Sequence, residues 1–316
     1  MLRNPGDPGT TLLTALPASR LPGAVPSVPA GRALAHALRE RGENVRVLVP
    51  ETESGGWPDG VEVVAGSVEE SAVSRAAFEG VSRAFLAGLV SKVPATLREL
   101  TNRLLAGGVR RVVVLSSHGS DFETEYSEET WPWLAFERAL QTGGANWTYL
   151  RPAGLFANAY AGGYPISGAD WCAHIRRRKA VAEFLPDVAY PFMDEEDLGR
   201  VAAELLLDET LAGEKLDVCG QLVSARERFD AVNDVLAGTA RLETLADEET
   251  ARRHWRERGW PEVTVDVTLF AMTAFAAQAD SMRTLLAPQL DATARILGRP
   301  PRTFRDWLAR HAGEFG

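Results

Sequence analysis

The sequence predicts an α/β protein: a doubly wound parallel sheet with helices on both faces, and a smaller, mainly helical C-terminal domain. Three observations predict it. Short apolar runs alternate with segments of helical spacing as far as Asn158, the pattern that builds strand–helix–strand crossovers. Residues 111–115 (R-V-V-V-L) form a short β-branched run, as expected of a strand buried on both faces. Beyond Asn158 the alternation stops. Residues 159–169 are rich in Gly, Tyr and Ala and read as loop, and the chain from Ser224 on is mostly of helical period.

The elements follow in order. Residues 10–15 (T-T-L-L-T-A) predict the first strand. A proline-rich loop, L-P-A-S-R-L-P-G-A-V-P-S-V-P-A-G, leads to a helix over 32–41 that Gly42 closes. Strands at 45–49 and 61–65 precede a helix at 71–78, stopped near Gly80. A short strand at 84–86 and a helix at 97–105, ended by Gly107-Gly108, lead to the central strand 111–115. A helical pattern over 133–140 ends at Gly143-Gly144, and 147–150 is the next strand. Right-handed crossovers place these helices on both faces of one sheet. Asp194-Glu195-Glu196-Asp197 opens a helix over 198–207, where carboxylates cap free N–H groups and complement the helix dipole. Residues 215–219 are a short strand and 268–285 an amphipathic helix. The expected division is 1–158 with return segments near 186–222 for the sheet domain, and 159–185 with 223–316 for the smaller one.

A chain of 316 residues can bury a large domain and a small one. The net charge of −9 argues against a nucleic-acid surface, which needs clustered Lys and Arg. The basic run Arg176-Arg177-Arg178-Lys179 reads as a solvated helix face. The two cysteines, Cys172 and Cys219, have no spacing partner, which predicts a reducing compartment, no disulfide framework and no metal site. There is no apolar run of about 18 residues for a spanning helix, and M-L-R-N-P-G-D-P-G lacks a signal-peptide core. A cytoplasmic protein is expected. Its partners are a small-molecule substrate and, at most, further copies of itself as a homo-oligomer, with neither nucleic acid nor membrane.

Four pieces occur together and in order: Leu115-Ser116-Ser117, then E-x-x-L at Glu137 to Leu140, then W-T-Y-L-R-P from Trp147, then F-A-N at Phe156 to Asn158. With the ending L-G-R-P-P-R-T-F-R-D-W-L-A-R-H, they resemble the NmrA-like branch of the atypical short-chain dehydrogenases/reductases, NAD(P)-binding Rossmann-fold proteins. The resemblance covers nearly the whole chain from Thr10. It implies a Rossmann domain, a small C-terminal domain and a substrate cleft between them. It also places Ser116 and Ser117 beside a nicotinamide or substrate, and makes Arg151 structural.

The family's dinucleotide loop, G-x-x-G-x-x-G, is altered here. Gly23 and Gly31 match its first and last glycines, but the middle one is absent, the spacing is long, and two prolines remove N–H donors. After the second strand stands Pro50-Glu51 where the family often carries Arg. Glu51 would accept from a ribose hydroxyl and favour NAD over NADP. After the third strand Gly66-Ser67 replaces Gly-Asp, and no Y-x-x-x-K occurs; the matching positions hold Glu129 and Trp133. These departures predict a degenerate site and no cofactor, with NAD or NADP bound if the site works.

The remaining chemistry lies on loops at the carboxyl ends of strands, where open α/β sheets bind ligands. His118 is the leading acid–base candidate, with Asp121, Tyr126 and Ser117 beside it in sequence. Trp133, Phe156, Asn158, Tyr160, Trp171, His174 and Phe192 are the candidate lining for a flat, largely apolar substrate. The main expectation is a non-redox enzyme that performs a cyclisation, isomerisation or elimination, possibly in secondary metabolism. An NAD(P)H-dependent oxidoreductase and a non-catalytic sensor are the alternatives.

Overall fold

The computed structural model describes residues 9–15, 27–68, 70–87, 94–118, 137–138, 140–141, 144 and 146–316. The chain divides into two compact units. Of the described residues, one holds those up to Arg151 together with Leu198–Asp217, and the other holds Pro152–Asp197 and Val218–Gly316.

In the first unit, β1 (Thr10–Thr14), β2 (Asn44–Val49), β3 (Glu62–Ala65), β4 (Val81–Leu86), β5 (Arg111–Leu115) and β6 (Asn146–Pro152) pair in parallel, in the order β6-β5-β4-β1-β2-β3. Strand Lys215–Val218 extends the sheet beside β6, giving seven strands. Parallel neighbours require crossovers, and α1 (Val28–Glu40), α2 (Ser71–Phe78) and α3 (Pro94–Ala106) supply three of them. The chain builds outward from β1 to β3, then returns to β4 on the other side of β1. That reversal is the switch point at which such sheets bind ligands.

The core explains the strand pattern. β5 is buried along its whole length, and Leu12, Phe78, Val112, Val114 and Tyr149 share one hydrophobic cluster. Arg111, only 2 % exposed, lies beneath helix Glu195–Leu207. Its Nε and Nη2 donate to the Leu205 carbonyl at 3.0 and 2.6 Å, and Nη2 also donates to Thr148 Oγ1 at 2.7 Å. A cation is favourable there because the last helical carbonyls lack intrahelical partners. The same helix lies close to α1, for a Cβ on Gly199 would stand 2.6 Å from the Leu34 nitrogen.

The helix predicted from Arg32 begins four residues earlier, with Pro29 in its first turn. Proline is tolerated there because its missing N–H would have no helical partner. The helix over 133–140 is described only at Glu137, Arg138 and Leu140, which are helical.

The second unit holds strands the periodicity did not reveal. Gly154–Leu155, Ala189–Met193 and Gln221–Ser224 form one small sheet, and Ala180–Phe184 pairs in parallel with Arg241–Leu245. They are short and embedded among turns, so alternation has little length in which to show. The loop over 159–169 contains helical turns at Asn158–Ala161 and Pro165–Ser167. The single helix expected at 268–285 is two, Glu262–Ala277 and Ala279–Leu297, broken at Gln278.

The acidic run has a second task beyond starting its helix. Asp197, fully buried, accepts from the Arg302 backbone N–H at 2.7 Å, from Arg302 Nη1 at 2.5 Å and from Arg299. Asp194 takes Arg310, and Glu195 accepts from Trp307 Nε1 at 2.9 Å. The C-terminal R-P-P-R-T-F-R-D-W segment is thereby tied to one buried helix start.

A second polar group lies inside this unit's core. Arg228, 1 % exposed, sits 4.7 Å from the Trp171 ring centre and 4.1 Å from that of Phe192, and donates to the Ser167 carbonyl at 2.9 Å. Glu183 accepts from Trp171 Nε1 at 2.5 Å. Burial pushes the Glu183 carboxyl up to about 7 against the pull of Arg228, and pushes Arg228 down to about 10. Because the folded value of Glu183 lies above its ordinary 4.5, its contribution to stability is complete below 4.5 and is lost as pH rises through about 7. Glu183→Gln, which mimics the neutral form, should match the parent at the acid end and become more stable than it, by about 3 kcal/mol, above neutrality. Urea unfolding across that pH range measures the difference; a constant difference would remove Glu183 as its source.

Candidate functional site

In the first unit the parallel strands bring Ala15, Glu51, Ser67, Ala87 and Ser116–His118 to one edge of the sheet, since each follows a carboxyl end. At the switch point Thr14 Oγ1 donates to the Ala87 carbonyl at 2.7 Å and accepts from the Ala87 N–H at 2.8 Å. This closes the gap where the β1 and β4 ladders part.

The strongest buried contact at this edge is centred on Glu137, which is 1 % exposed. Arg151 donates to it side-on, Nε to Oε1 at 3.0 Å and Nη2 to Oε2 at 2.7 Å. Ser116 Oγ donates to Oε1 at 2.6 Å, and Lys215 Nζ stands 3.7 Å from Oε2. The Tyr149 hydroxyl donates to the Glu137 backbone carbonyl. Burial first, and then the Glu137 charge, hold that phenol well above its ordinary range. Ser116 and Arg151 are therefore joined in one buried polar contact on Glu137. Ser117 and His118, half-buried, follow at the open end of β5. Asp121, Tyr126 and Trp133 lie outside the described residues, as does Gly23.

The N-terminus of α1 tests whether a dinucleotide fits. Gly31 lies in its first turn, not in the preceding loop. A Cβ there would meet the Ala15 Cβ at 3.3 Å and the Trp57 ring at 3.4 Å. This is the helix–strand packing task of the last glycine in a dinucleotide fingerprint. The first turn holds no acidic residue, and the Ser27 side chain does not cap it. Val28 and Ala30 carry N–H groups ahead of the first intrahelical bond, while Pro29 has none. Among the described residues, the positive end of the helix thus carries no acidic residue in its first turn and no side-chain cap from Ser27, as an anion requires. The described residues fit a pyrophosphate with one donor fewer than usual. Glu51 is exposed at the start of a one-turn helix after β2. The Ser67 N–H, after Gly66, is turned to Glu70 Oε1 at 3.1 Å.

The other named residues belong to the second unit. Phe156, Trp171 and Phe192 are at most 2 % exposed and share one core, with Phe156 and Phe192 stacked at 5.8 Å. Tyr160 stacks on Trp307 at 6.2 Å and on His311 at 5.9 Å. Asn158 is 8 % exposed, and its buried Oδ1 has no hydrogen-bond partner. His174 is half-buried on helix Trp171–Arg178, where its charge and those of Arg258 and Arg178 add to burial in pushing His254 down to about 4. Sequence reasoning missed Arg228 and Glu183: A-R-E-R-F-D reads as an ordinary polar helix start, and nothing in residue type announces that one arginine points inward.

The fold and this edge define a dinucleotide-binding scaffold of Rossmann type. Residues 29–189 match the model of the NAD(P)H-binding family. The chain is 30 % identical to (4-alkanoyl-5-oxo-2,5-dihydrofuran-3-yl)methyl phosphate reductase of Streptomyces griseus, over 90 % of this chain and 95 % of that one. It is 24 % identical to NAD(P)H azoreductase of Xenophilus azovorans, over 81 % and 85 %. Among solved structures, triphenylmethane reductase of Citrobacter sp. is similar with a TM-score of 0.68 at 15 % identity, covering 96 % of this chain and 99 % of that one. The NADPH-dependent quinone oxidoreductase of Escherichia coli complexed with NADPH gives 0.69 at 13 % identity, covering 95 % and 99 %. The chain belongs to the NAD(P)H-binding family of atypical short-chain dehydrogenases/reductases that its motifs resemble. The expectation of a cofactor-independent, non-redox enzyme finds no support in these relatives, and the oxidoreductase alternative fits them. The physical reason lies at α1: an altered loop composition left the glycine contact and the uncapped helix end in place.

Arg151→Met should destabilise the fold by about 3–5 kcal/mol, because it leaves the Glu137 carboxylate buried with only Ser116 and a distant Lys215. The double variant Arg151→Met with Glu137→Leu should recover most of that loss in chemical denaturation. Equal losses in both would show that the pair is not the source.

Proposed function

We propose that this chain is an NAD(P)H-dependent reductase of a small unsaturated organic molecule. The observation that carries this reading is the 30 % identity, over nearly the full length of both chains, to a reductase within an NAD(P)H-binding family. The helix end at Val28–Gly31 supports it from the structure. The substrate class rests on the names of the relatives and structural neighbours, which include a dihydrofuranone ester, a triphenylmethane dye and a quinone.

When bound, the nicotinamide cofactor supplies a hydride. The task of the chain is then to hold the pyrophosphate, place the acceptor and deliver one proton. Val28 and Ala30 N–H groups at the α1 terminus hold the pyrophosphate, with Glu51 and Ser67 toward the adenosine side. Ser117 orients the acceptor at the end of β5. His118 is the proton donor, an imidazole being able to give a proton near neutral pH and recover it from water. Asp121 and Tyr126 follow on the same segment as further proton-relay candidates, and Trp133 as an apolar contact. Phe156, Trp171 and Phe192 are spent on the core of the second unit and are not proposed as ligand contacts.

Calorimetric titration with NADH and with NADPH tests the reading first. Binding on the order of micromolar supports it; no binding of either by the wild-type chain overturns it. With a quinone or unsaturated lactone that is turned over, His118→Ala should lower kcat by about 10²–10⁴-fold while cofactor affinity stays unchanged. An unchanged kcat would remove His118 from the proton step.

A further inference from the structure

We propose that Trp171, Glu183 and Arg228 form a proton-operated latch. Glu183 holds the Trp171 indole N–H while its carboxyl is neutral. On ionising it moves to the unspent edge of the Arg228 guanidinium and releases the segment that ends at Trp171. The latch lies wholly within the second unit and does not depend on the reductase reading.

Both charged groups meet on one indole. Glu183 Oε1 accepts from Trp171 Nε1 at 2.5 Å, and the Arg228 guanidinium carbon stands 4.7 Å from the ring centre of the same tryptophan. The guanidinium is also 4.1 Å from the Phe192 ring centre, and its Nη1 donates to the Ser167 carbonyl at 2.9 Å. That leaves the edge made of Nε and Nη2, which is buried and has no hydrogen-bond partner among the described residues. Arg151 takes the Glu137 carboxylate by the same edge. Because the Arg228 edge is closed to solvent, only a group already inside can reach it. Glu183, 4 % exposed, is the carboxylate whose charge acts on Arg228, yet the hydrogen bond it makes is to Trp171.

An ionised carboxylate on one neutral donor, beside a buried guanidinium with two donors unspent, is not the most stable arrangement in a low-dielectric interior. The geometry is that of the neutral acid. Ionisation makes the guanidinium edge the stronger partner, because a side-on pair forms two charge-assisted bonds. The other buried titratable groups on the elements around Glu183 keep their charge near neutrality. On helix Trp171–Arg178 burial pushes the Cys172 thiol up to about 12. On strand Ala189–Met193 burial, and then Glu183, hold the Tyr190 phenol above its ordinary range. Arg228, on helix Ala225–Val235, is pushed down only to about 10. Strand Arg241–Leu245 places uncharged Thr244 opposite Glu183, and helix Glu248–Glu257 buries Ala251 and Trp255. Its His254, pushed down to about 4 by burial and neighbouring cations, is neutral there. The segment before Trp171 is poised to relax once freed. Asp170 has a φ of +69°, a left-handed backbone that a residue with a Cβ keeps only where its surroundings fix it.

The test follows the indole N–H resonance of Trp171 by NMR across neutral pH in the full-length protein, assigned by its loss in Trp171→Phe. A hydrogen bond to an ionised acceptor is shorter and stronger. Ionisation of Glu183 in place would therefore move the signal downfield, whereas exchange of partner moves it upfield. The wild type should show an upfield shift with a midpoint close to 7. Amide exchange over residues 167–171, corrected for its intrinsic pH dependence, should be faster above that midpoint than below it. In Glu183→Gln, which keeps an acceptor for Trp171 and leaves His174 in place, signal and exchange should both stay at their acid-end values. In Arg228→Met the signal should move downfield, since the second partner is gone. A downfield or absent shift in the wild type, unchanged exchange over 167–171, or an upfield shift that persists in either variant would each overturn the latch. If Arg228→Met does not fold, the sign of the wild-type shift and its loss in Glu183→Gln decide the matter.

Discussion

The buried carboxylate of Glu137 constrains the functional edge more than any other group among the described residues. An ionised carboxylate away from water is costly unless its lone pairs are matched. Here Arg151 matches two of them side-on and Ser116 a third, with Lys215 at the rim. The partners come from the ends of β5 and β6, and the carboxylate from the helical segment between them. A shift in any of the three leaves a charge unpaired. The backbone adds its own tie, since the Ser116 N–H donates to the Leu150 carbonyl at 2.8 Å. Ser117 and His118 are the first residues past this knot, so their starting point is set by a contact in which neither takes part.

The cofactor side depends on a different constraint, that of space. Helix α1 approaches β1 closely, for a Cβ on Gly31 would stand 3.3 Å from the Ala15 Cβ and 3.4 Å from the Trp57 ring. The same closeness brings the first turn of the helix, with its N–H groups, to the edge of the sheet. What an anion needs at a helix start is direction and an absence of competing carboxylates more than a particular loop composition. A chain with an unusual glycine pattern can therefore still belong with NAD(P)H-binding proteins.

The second unit holds charges that have been taken inside. Asp194 and Asp197 hold the C-terminal arginines, and Arg228 and Glu183 share an aromatic cage. Burial opposes ionisation in the inner pair, which ties the stability of this unit to pH. The aromatic residues that the sequence marks as a possible lining are largely spent on this packing, with Trp171 serving as hydrogen-bond donor to one charge and platform for the other.

The sequence by itself determined the parallel sheet, because β-branched runs at regular spacing have few other ways to bury both faces, and it determined the family, because L-S-S, E-x-x-L and W-T-Y-L-R-P stand in one order. It also marked Ser117 and His118 as lying past a strand end. The tertiary structure alone decided which polar residues do structural work. Glu137 and Arg151 are 14 residues apart in the chain and 2.7 Å apart in space, and Arg228 turns inward from a helix whose composition is that of a surface. It also decided the state of the cofactor edge. Whether Gly31 belongs to a spoiled loop or a working helix start depends on where α1 begins, and that is fixed by packing against Ala15 and Trp57. Residue types specify what a group can donate or accept, while burial and direction, which only the folded chain supplies, specify whether it does.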